Sequence, residues 1–520
     1  MSDANNETRD SAWREKAEKL GVELEKAHAE IARLNALLAA QQSTSALEQE
    51  INELKAQLEL LKRRVFGQHS EKMPSPQKER RKERGEEEKR KEAQQKRSDN
   101  AQKKKALEEK RIEHKIPDDK RVCSICTGRD LKPLGEGKTS DVIEYVPARF
   151  IRHVHVQETL ICSDCKTIVT AEMPEKVIDK GGYGASFIAH VAVQKCADAN
   201  PLYRLSKQFK RQGVQIAPST LCDLFHAAAD LMRPLHERIG KLVASDEYVQ
   251  GDETTIQVQA KKKTRRAYVW AFLSMSLAAR LIFYRYSPSR SGQTPREVLG
   301  GSQGTLVVDA YTGYNEVCKV EGRERAGCMA HARRNFFDAL KTAPAEAEEA
   351  LDKIRAIYRV EHVAKEKGIV ASAEHLQMRQ TQSKPLMDAL HTWLIEQQSL
   401  HLPKGPMGQA IAYSLNQWKE LTVFLDDCRV PIDNNRSENA MRAIALGRKN
   451  FLFVGSDDAG ENLAILYTLV ATCIANDVNP EAYLTDVLLR VKSHPASRID
   501  ELLPHNWKNL RQTSELPAAV

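Results

Sequence analysis

Tyr248-Val-Gln-Gly-Asp-Glu-Thr-Thr-Ile-Gln-Val-Gln259 decides the fold class. Asp252, Thr254, Ile256 and Val258 fall on one side of an extended chain, because successive side chains point to opposite faces. This alternation predicts a strand with one covered face and turns the Asp252 carboxylate toward it, where an acid is costly unless it binds something. Glu253 is expected to point the other way, to solvent. Working outward, residues 267–274 and 280–286 continue as two more strands of a meander, and residues 294–299 as a helix. Gly304-Thr-Leu-Val-Val-Asp309 reads as a short buried strand that ends in a carboxylate. Residues 331–425 are mainly helical by composition. Residues 434–446 form a helix with an Asn/Asp-rich start, and residues 463–475 another.

Upstream, residues 183–245 are helical. A Gly turn at Gly213 precedes Pro218-Ser-Thr-Leu221, which looks like a helix start with Ser219 or Thr220 as cap; helix, turn and second helix fit a helix-turn-helix. Two Cys-x-x-Cys pairs, Cys123/Cys126 and Cys162/Cys165, flank β-like stretches at 141–146 and 150–161. Four thiolates on two tight turns suit a structural tetrahedral zinc ion, although the gap between the pairs exceeds the usual ~15–20 residues. The other cysteines (Cys196, Cys222, Cys318, Cys328, Cys428, Cys473) are expected as small core residues. Further upstream, Leu20, Leu24, Ala27, Ile31, Leu34 and Leu38 keep 4-3 spacing, and Leu47, Ile51, Leu54, Leu58, Leu61 and Val65 repeat it out of register. That is the seam of a coiled coil, which needs a partner helix.

The chain has 520 residues and a net charge of +8. Residues 78–115 hold 16 Lys/Arg and 10 Asp/Glu, so most of the excess lies in a run that reads as a solvated helix or linker and says little about nucleic acid. The longest apolar runs fall short of the ~18–20 residues that span a bilayer, and the N-terminus has no apolar signal core. A cytosolic setting, with metal binding or burial for the cysteines rather than disulfides, is therefore expected.

Two acids stand out by context and a third joins them. Asp252 lies on the alternating strand, and Asp309 ends a buried one, a position where α/β sheets often place active sites. Glu438 lies in the first turn of a helix, with Arg442 four residues on, able to pair with it or meet a phosphate. Two-metal phosphoryl transfer needs such converging carboxylates. Each acid also has a local role available: a backbone bond for Asp252, a turn cap for Asp309, the helix dipole for Glu438.

At these residues the sequence resembles the transposases of the bacterial insertion-sequence family numbered sixty-six. The resemblance is carried by Leu61-Lys-Arg-Arg-Val-Phe-Gly-Gln-His-Ser-Glu-Lys72, both cysteine pairs, Asp252-Glu-Thr254 and Leu306-Val-Val-Asp-Ala-Tyr-Thr-Gly-Tyr-Asn315. It continues through Cys328-Met-Ala-His-Ala-Arg-Arg334, Asp433-Asn-Asn-Arg-Ser-Glu-Asn439, Gly447-Arg-Lys-Asn-Phe-Leu-Phe453, Asn479-Pro-Glu-Ala-Tyr-Leu-Thr-Asp486 and Leu502-Leu-Pro504. It covers nearly the whole chain from about residue 15.

The resemblance implies a DDE-type transposase, a multidomain α+β and α/β chain whose catalytic domain is RNase-H-like. Asp252 would sit on the first strand, Asp309 after the fourth and Glu438 on a later helix, together holding two Mg²⁺. Cys123, Cys126, Cys162 and Cys165 would hold one Zn²⁺. The implied order is a coiled coil at 1–70, a charged linker at 71–117, a zinc module at 118–172 and a helix-turn-helix-like domain at 173–245. The catalytic domain follows in two parts, 246–340 and 426–475, around a helical insertion at 341–425, and residues 476–520 close the chain. His331, Arg333, Arg334, Arg436, Arg442, Arg448 and Lys449 are expected to meet DNA phosphates. The partners would be transposon ends and target DNA, a second copy through the coiled coil, and small accessory proteins of the element. The setting would be the bacterial cytoplasm, at the nucleoid when DNA-bound. A non-enzymatic zinc and helix-turn-helix regulator, or an RNase-H-like nuclease that cuts without joining, is an alternative at this stage. Metal analysis of the purified full chain should give about one zinc per chain, and Cys162→Ser should lose it; metal-free protein with intact folding would contradict the zinc reading.

Overall fold

The computed structural model describes residues 148–513 apart from 162, 164, 174, 175, 180 and 321, together with single positions 29, 94, 95 and 98. The expected coiled coil, the charged run, Cys123, Cys126 and Cys162 lie outside the described residues. From residue 150 onward the described chain belongs to one compact unit; the other unit, residues 59–149, lies almost wholly outside them.

The described part starts with a small hairpin, β1 (Thr159–Ile161) against β2 (Ile168–Thr170), so only the last three residues of the expected 150–161 stretch are strand. Three helices follow: α1 (Ala185–Cys196), α2 (Leu202–Arg211) and α3 (Pro218–Ser245). Gly213, at φ 90°, turns the chain between α2 and α3. The cap of α3 is Ala217, with Pro218 in the first turn, so neither Ser219 nor Thr220 caps it. Proline suits that position because its missing N–H would have no helical partner.

The sheet comprises β3 (Tyr248–Ala260), β4 (Lys263–Ser274), β5 (Ile282–Ser287), β6 (Gly304–Val307) and β7 (Arg323–Ala326), with α4 (Gln293–Leu299) and α5 (Asn315–Val320) between strands. Its spatial order is β5-β4-β3-β6-β7. The first three strands are an antiparallel meander, while β6 runs parallel to β3 and β7 parallel to β6. The helices α6 (Met329–Ala339), α7 (Pro344–Glu366), α8 (Ala373–Met378), α9 (Lys384–Gln398), α10 (Pro406–Asn416) and α11 (Trp418–Thr422) then fill the long expected helical stretch. Last come α12 (Asn435–Phe451), α13 (Asp457–Ala475), α14 (Pro480–Arg490) and α15 (Pro504–Thr513).

One core joins α1, α3, β3, β4, β5, α12, α13 and α14, with Ile188, Met232, Ile256, Trp270, Tyr284, Leu466 and Leu484 all buried in it. The expected boundaries at 245 and 475 are therefore not core boundaries, because the flanking helices cover the same sheet. A second core lies under α6, α7, α9 and α10 and reaches the sheet through Tyr248, Val307 and Ala326. A small third cluster, Val191, Leu202, Leu205, Phe209, Ile216 and Leu221, binds α2 between its neighbours. Of the scattered cysteines, Cys196, Cys328 and Cys473 are buried as expected, Cys318 and Cys428 are half-buried, and Cys222 is exposed.

Arg379 staples the helical region to the segment that leads into α12. Its guanidinium is almost fully buried, pairs with both oxygens of Glu361 (2.8 and 2.7 Å) and donates to the carbonyls of Phe424, Asp427 and Val430 (2.7–2.9 Å). A buried cation so fully satisfied cannot be removed without stranding its acceptors. Arg379→Met should cost about 3–5 kcal/mol, measured by urea unfolding followed by tryptophan fluorescence; a loss below about 1 kcal/mol, the scale of an exposed pair, would contradict this role.

Candidate active site

Asp252 lies in the middle of β3 and Asp309 two residues beyond the end of β6, the strand beside it. Glu438 belongs to the first turn of α12. What brings Glu438 to β3 is a set of side chains on either side of the contact. Asn434 Nδ2 donates to the Gly251 carbonyl at 3.3 Å, and the Ser437 hydroxyl is shared between that carbonyl (3.3 Å) and the Asn434 carbonyl (2.8 Å). Gln250 Nε2 donates to the Asp433 carbonyl at 2.9 Å, and its Oε1 accepts the Ser437 N–H at 3.3 Å. Gln250, Asn434 and Ser437 are all buried, so the pairing is obligatory for each. Farther along, Gly447 lets α12 lie against α13: a Cβ there would come within 2.5 Å of the Tyr467 hydroxyl.

The loop bearing Asp309 is held by Arg325, which donates to the carbonyls of Asp309 and Tyr311 and to the Asn315 side chain. One Asp309 oxygen accepts the Tyr311 N–H at 3.0 Å, so the turn-cap role is present as well. Asp252 accepts its neighbour's N–H, that of Glu253, at 2.9 Å.

The surroundings of Asp252 act on its carboxyl. Burial, with the charges of Glu253, Asp309 and Glu438 nearby, pushes the Asp252 carboxyl up to about 8. Glu253 itself corrects an expectation. Its side chain is only 3% exposed, paired with Arg290 (2.8 Å to Nε) and accepting from the Tyr314 hydroxyl at 2.6 Å. Burial also raises Glu253, with the Asp309 charge adding to it. A fourth acid therefore borders the site, tied off by an arginine.

Glu438 takes its neighbours from α6: the Arg334 guanidinium at 3.4 Å and the His331 imidazole Nδ1 at 3.6 Å. Glu438 Oε1 and His331 Nδ1 are buried without a hydrogen bond. The expected pairing with Arg442 is replaced, and Arg442 is exposed. Arg448 is not a free phosphate contact either, because it donates to Thr254 Oγ1 (2.8 Å) and to the Thr255 carbonyl and hydroxyl, tying α12 to β3. Arg436 and Lys449 are exposed and Arg333 half-buried. Cys328 is fully buried at the start of α6, and burial pushes its thiol up to about 12, an unreactive packing group. Cys165 is exposed beside the β1–β2 hairpin, with Sγ 3.1 Å from Thr167 Oγ1.

Among the described residues no three His, Cys, Asp or Glu side chains are gathered tightly enough to hold an ion as they stand. The acids are neighbours rather than a closed cage. The burial and like charges around Asp252, and the Glu438 oxygen without a hydrogen bond, are nevertheless what a hard divalent cation would relieve, and carboxylates are its preferred donors.

A mixed sheet with acids at adjoining strands, completed by a later helix, defines an acid-centred α/β protein. The model of the Transposase IS66 family matches residues 180–462, that of the IS66 C-terminal element residues 468–505, and that of the zinc-finger binding domain of transposase IS66 residues 120–166. Three proteins of Sinorhizobium fredii (strain NBRC 101917 / NGR234) are similar over most of their length. Uncharacterized protein y4hP is 32% identical over 432 residues, 79% of this chain and 78% of that one. Uncharacterized proteins y4jD and y4qI are 31% and 29% identical, over 76% and 77% of this chain and 79% and 75% of theirs. The chain belongs to the IS66 transposase family. Membership suggests a DNA-processing enzyme with a zinc-binding domain. No helix among the described residues is long and apolar enough to cross a membrane.

The raised Asp252 carboxyl has a signed consequence. An unfolded Asp ionises near ~3.9, while the folded one keeps its proton to about 8. Between those limits the folded state binds more protons, so stability falls as pH rises from about 4 to about 8. In chelator, the urea midpoint of wild type should therefore drop more steeply from pH 5 to pH 8 than that of Asp252→Asn. Equal pH dependence in the two proteins would contradict the burial assigned to this acid.

Proposed function

We propose that the protein is a DDE transposase, cutting DNA at the ends of its element and joining the exposed 3′-hydroxyl to target DNA through an RNase-H-like catalytic domain. The observation that carries this reading is the docking of Glu438 onto the strand of Asp252, with Asp309 beyond the adjacent parallel strand. Asp252, Asp309 and Glu438 would hold two Mg²⁺ ions, which would supply activation of the attacking oxygen and stabilisation of the leaving one.

The chain's own groups do the placing. Gln250, Asn434 and Ser437 fix Glu438, while Arg325 fixes the Asp309 loop. Arg290 and the Tyr314 hydroxyl engage Glu253 and hold its carboxylate at the border of the site. Arg334 and His331 sit where they can meet a phosphate oxygen once Glu438 is engaged elsewhere, and Arg333, Arg436, Arg442 and Lys449 extend the basic edge. Water cuts the strand at the element end and leaves a 3′-hydroxyl; the same three acids then serve the attack of that hydroxyl on a target phosphodiester.

The four cysteines hold one structural Zn²⁺, and that module with α2, the Gly213 turn and α3 recognises the ends. The N-terminal coiled coil pairs protomers so that two ends are held together, with small accessory proteins of the element as further partners, in the bacterial cytoplasm.

Asp252→Asn, Asp309→Asn and Glu438→Gln should each lower Mg²⁺-dependent cleavage of DNA carrying the element ends by at least a hundredfold, with end binding nearly unchanged. Full activity in any one variant removes that residue from the centre. Cleavage by the wild type without joining would mark a nuclease, and end binding without cleavage a regulator.

A further inference from the structure

The strand that carries Asp252 runs on to a tip that the proposed chemistry does not use. Lys261-Lys-Lys-Thr-Arg-Arg266 forms the β3–β4 turn and the start of β4. Ala260 pairs with Lys263, so the loop is the two residues Lys261 and Lys262. Such loops are ordinarily Asn-Gly or Asp-Gly, because their backbone needs positive φ. Here Lys262 adopts φ 62°, so the turn keeps charge at a conformational cost. Lys261, Lys262, Lys263 and Arg266 are exposed. The acid nearest the run, Asp457, is occupied by Arg265 and the Tyr286 hydroxyl.

A second feature lies beside this tip. At the end of α12, Leu452 has φ 66° and ψ −49°, and the Phe453 N–H donates to the Phe451 carbonyl at 2.7 Å. That is a strained three-residue turn, and leucine is a poor occupant for it. Both flanks are clamped. The Phe451 ring lies under Lys195 Nζ at 4.2 Å, and buried Val454 bonds to β3 through Gln257 and Gln259. Between the clamps, Leu452 is 65% and Phe453 42% exposed. Val454 adjoins Val258, and Arg265 pairs with Val258 from the other side, so Val454 and Arg265 lie roughly two strand spacings apart, ~10 Å, with the Lys261-Lys262 turn about 10–14 Å farther along β3.

We propose that the β3–β4 tip and the Phe451–Phe453 turn form one duplex-DNA surface, the cations on phosphates and Leu452 and Phe453 wedged against the bases. The claim rests on the reading of the protein as a DNA-processing enzyme and says where the flanking duplex lies. Four exposed cations with the nearest acid already paired complement a polyanion, and strain retained to display two apolar side chains beside them suits unstacking of a base step. From Asp252 to Lys261 the strand advances about 30 Å, the length of about nine base pairs, so one duplex can touch both the acids and the tip.

The test uses the full chain with a labelled duplex of about 30 base pairs, titrated by anisotropy over a salt series. The quadruple variant Lys261→Gln, Lys262→Gln, Lys263→Gln, Arg266→Gln should flatten the slope of log affinity against log salt by about 3 to 4. The double variant Leu452→Ala, Phe453→Ala should keep the slope but abolish the fluorescence rise of 2-aminopurine unstacked on binding. All substituted residues are exposed, so melting temperatures should stay close to wild type. An unchanged slope in the quadruple variant, no 2-aminopurine rise with wild type, or equal competition by polyglutamate overturns the proposal. These readings do not require cleavage. A flattened slope in a chain that never cuts DNA leaves the surface standing and removes the transposase reading, whereas cleavage with an unchanged slope does the reverse.

Discussion

The seating of the first turn of α12 on β3 is the constraint from which the site follows. Asn434 and Ser437 converge on one carbonyl, that of Gly251, while Gln250 closes the other side. Each of these polar groups is out of water, so each bond lost would leave a buried donor or acceptor unsatisfied, at about 1–3 kcal/mol. The contact therefore specifies one register of helix on strand, and that register sets Glu438 across from Asp252. Arg379 supports the same contact from behind by holding the carbonyls of the segment that enters α12.

Electrostatics follows from that packing. The protein brings acids together on adjacent elements and answers only some of them: Glu253 with Arg290 and Tyr314, Glu438 in part with Arg334. Asp252 is left buried and shares its surroundings with like charges, and burial first, then those charges, raise its carboxyl. Strain concentrated at a site in this way marks function more often than stability does. The same strand that carries Asp252 ends, nine residues on, in an all-lysine turn.

Much of this was legible in the sequence. The alternation around Asp252 and the apolar run before Asp309 gave the strands and their two acids, because burial leaves a period of two. The helix of Glu438 showed in its Asn/Asp-rich start, although the Asn434 side chain reaches the strand instead of capping the helix, and the Ser437 hydroxyl is shared between strand and helix start. β7 was missed because Arg323-Glu-Arg-Ala326 has no apolar pattern; among the described residues it pairs only with β6, and Arg323 Nη2 donates to carbonyls of the chain before β3. Glu253 was misplaced because alternation assigns a face and says nothing of what covers that face. Glu438 pairs with Arg334 instead of Arg442, and Arg448 ties to β3, for a similar reason: helical spacing gives neighbours along one helix, but contacts with another element decide which partner is taken. The single polar residue in Tyr248-Val-Gln250 was the available signal for the docking contact.

The most direct test is divalent-ion binding by the full, zinc-loaded chain. Mn²⁺ titration followed by water-proton relaxation should show binding in wild type that weakens at least tenfold in Asp252→Asn, Asp309→Asn and Glu438→Gln alike, because the three acids serve one centre. Binding that is indifferent to any of the three would contradict a shared centre on β3, the Asp309 loop and α12.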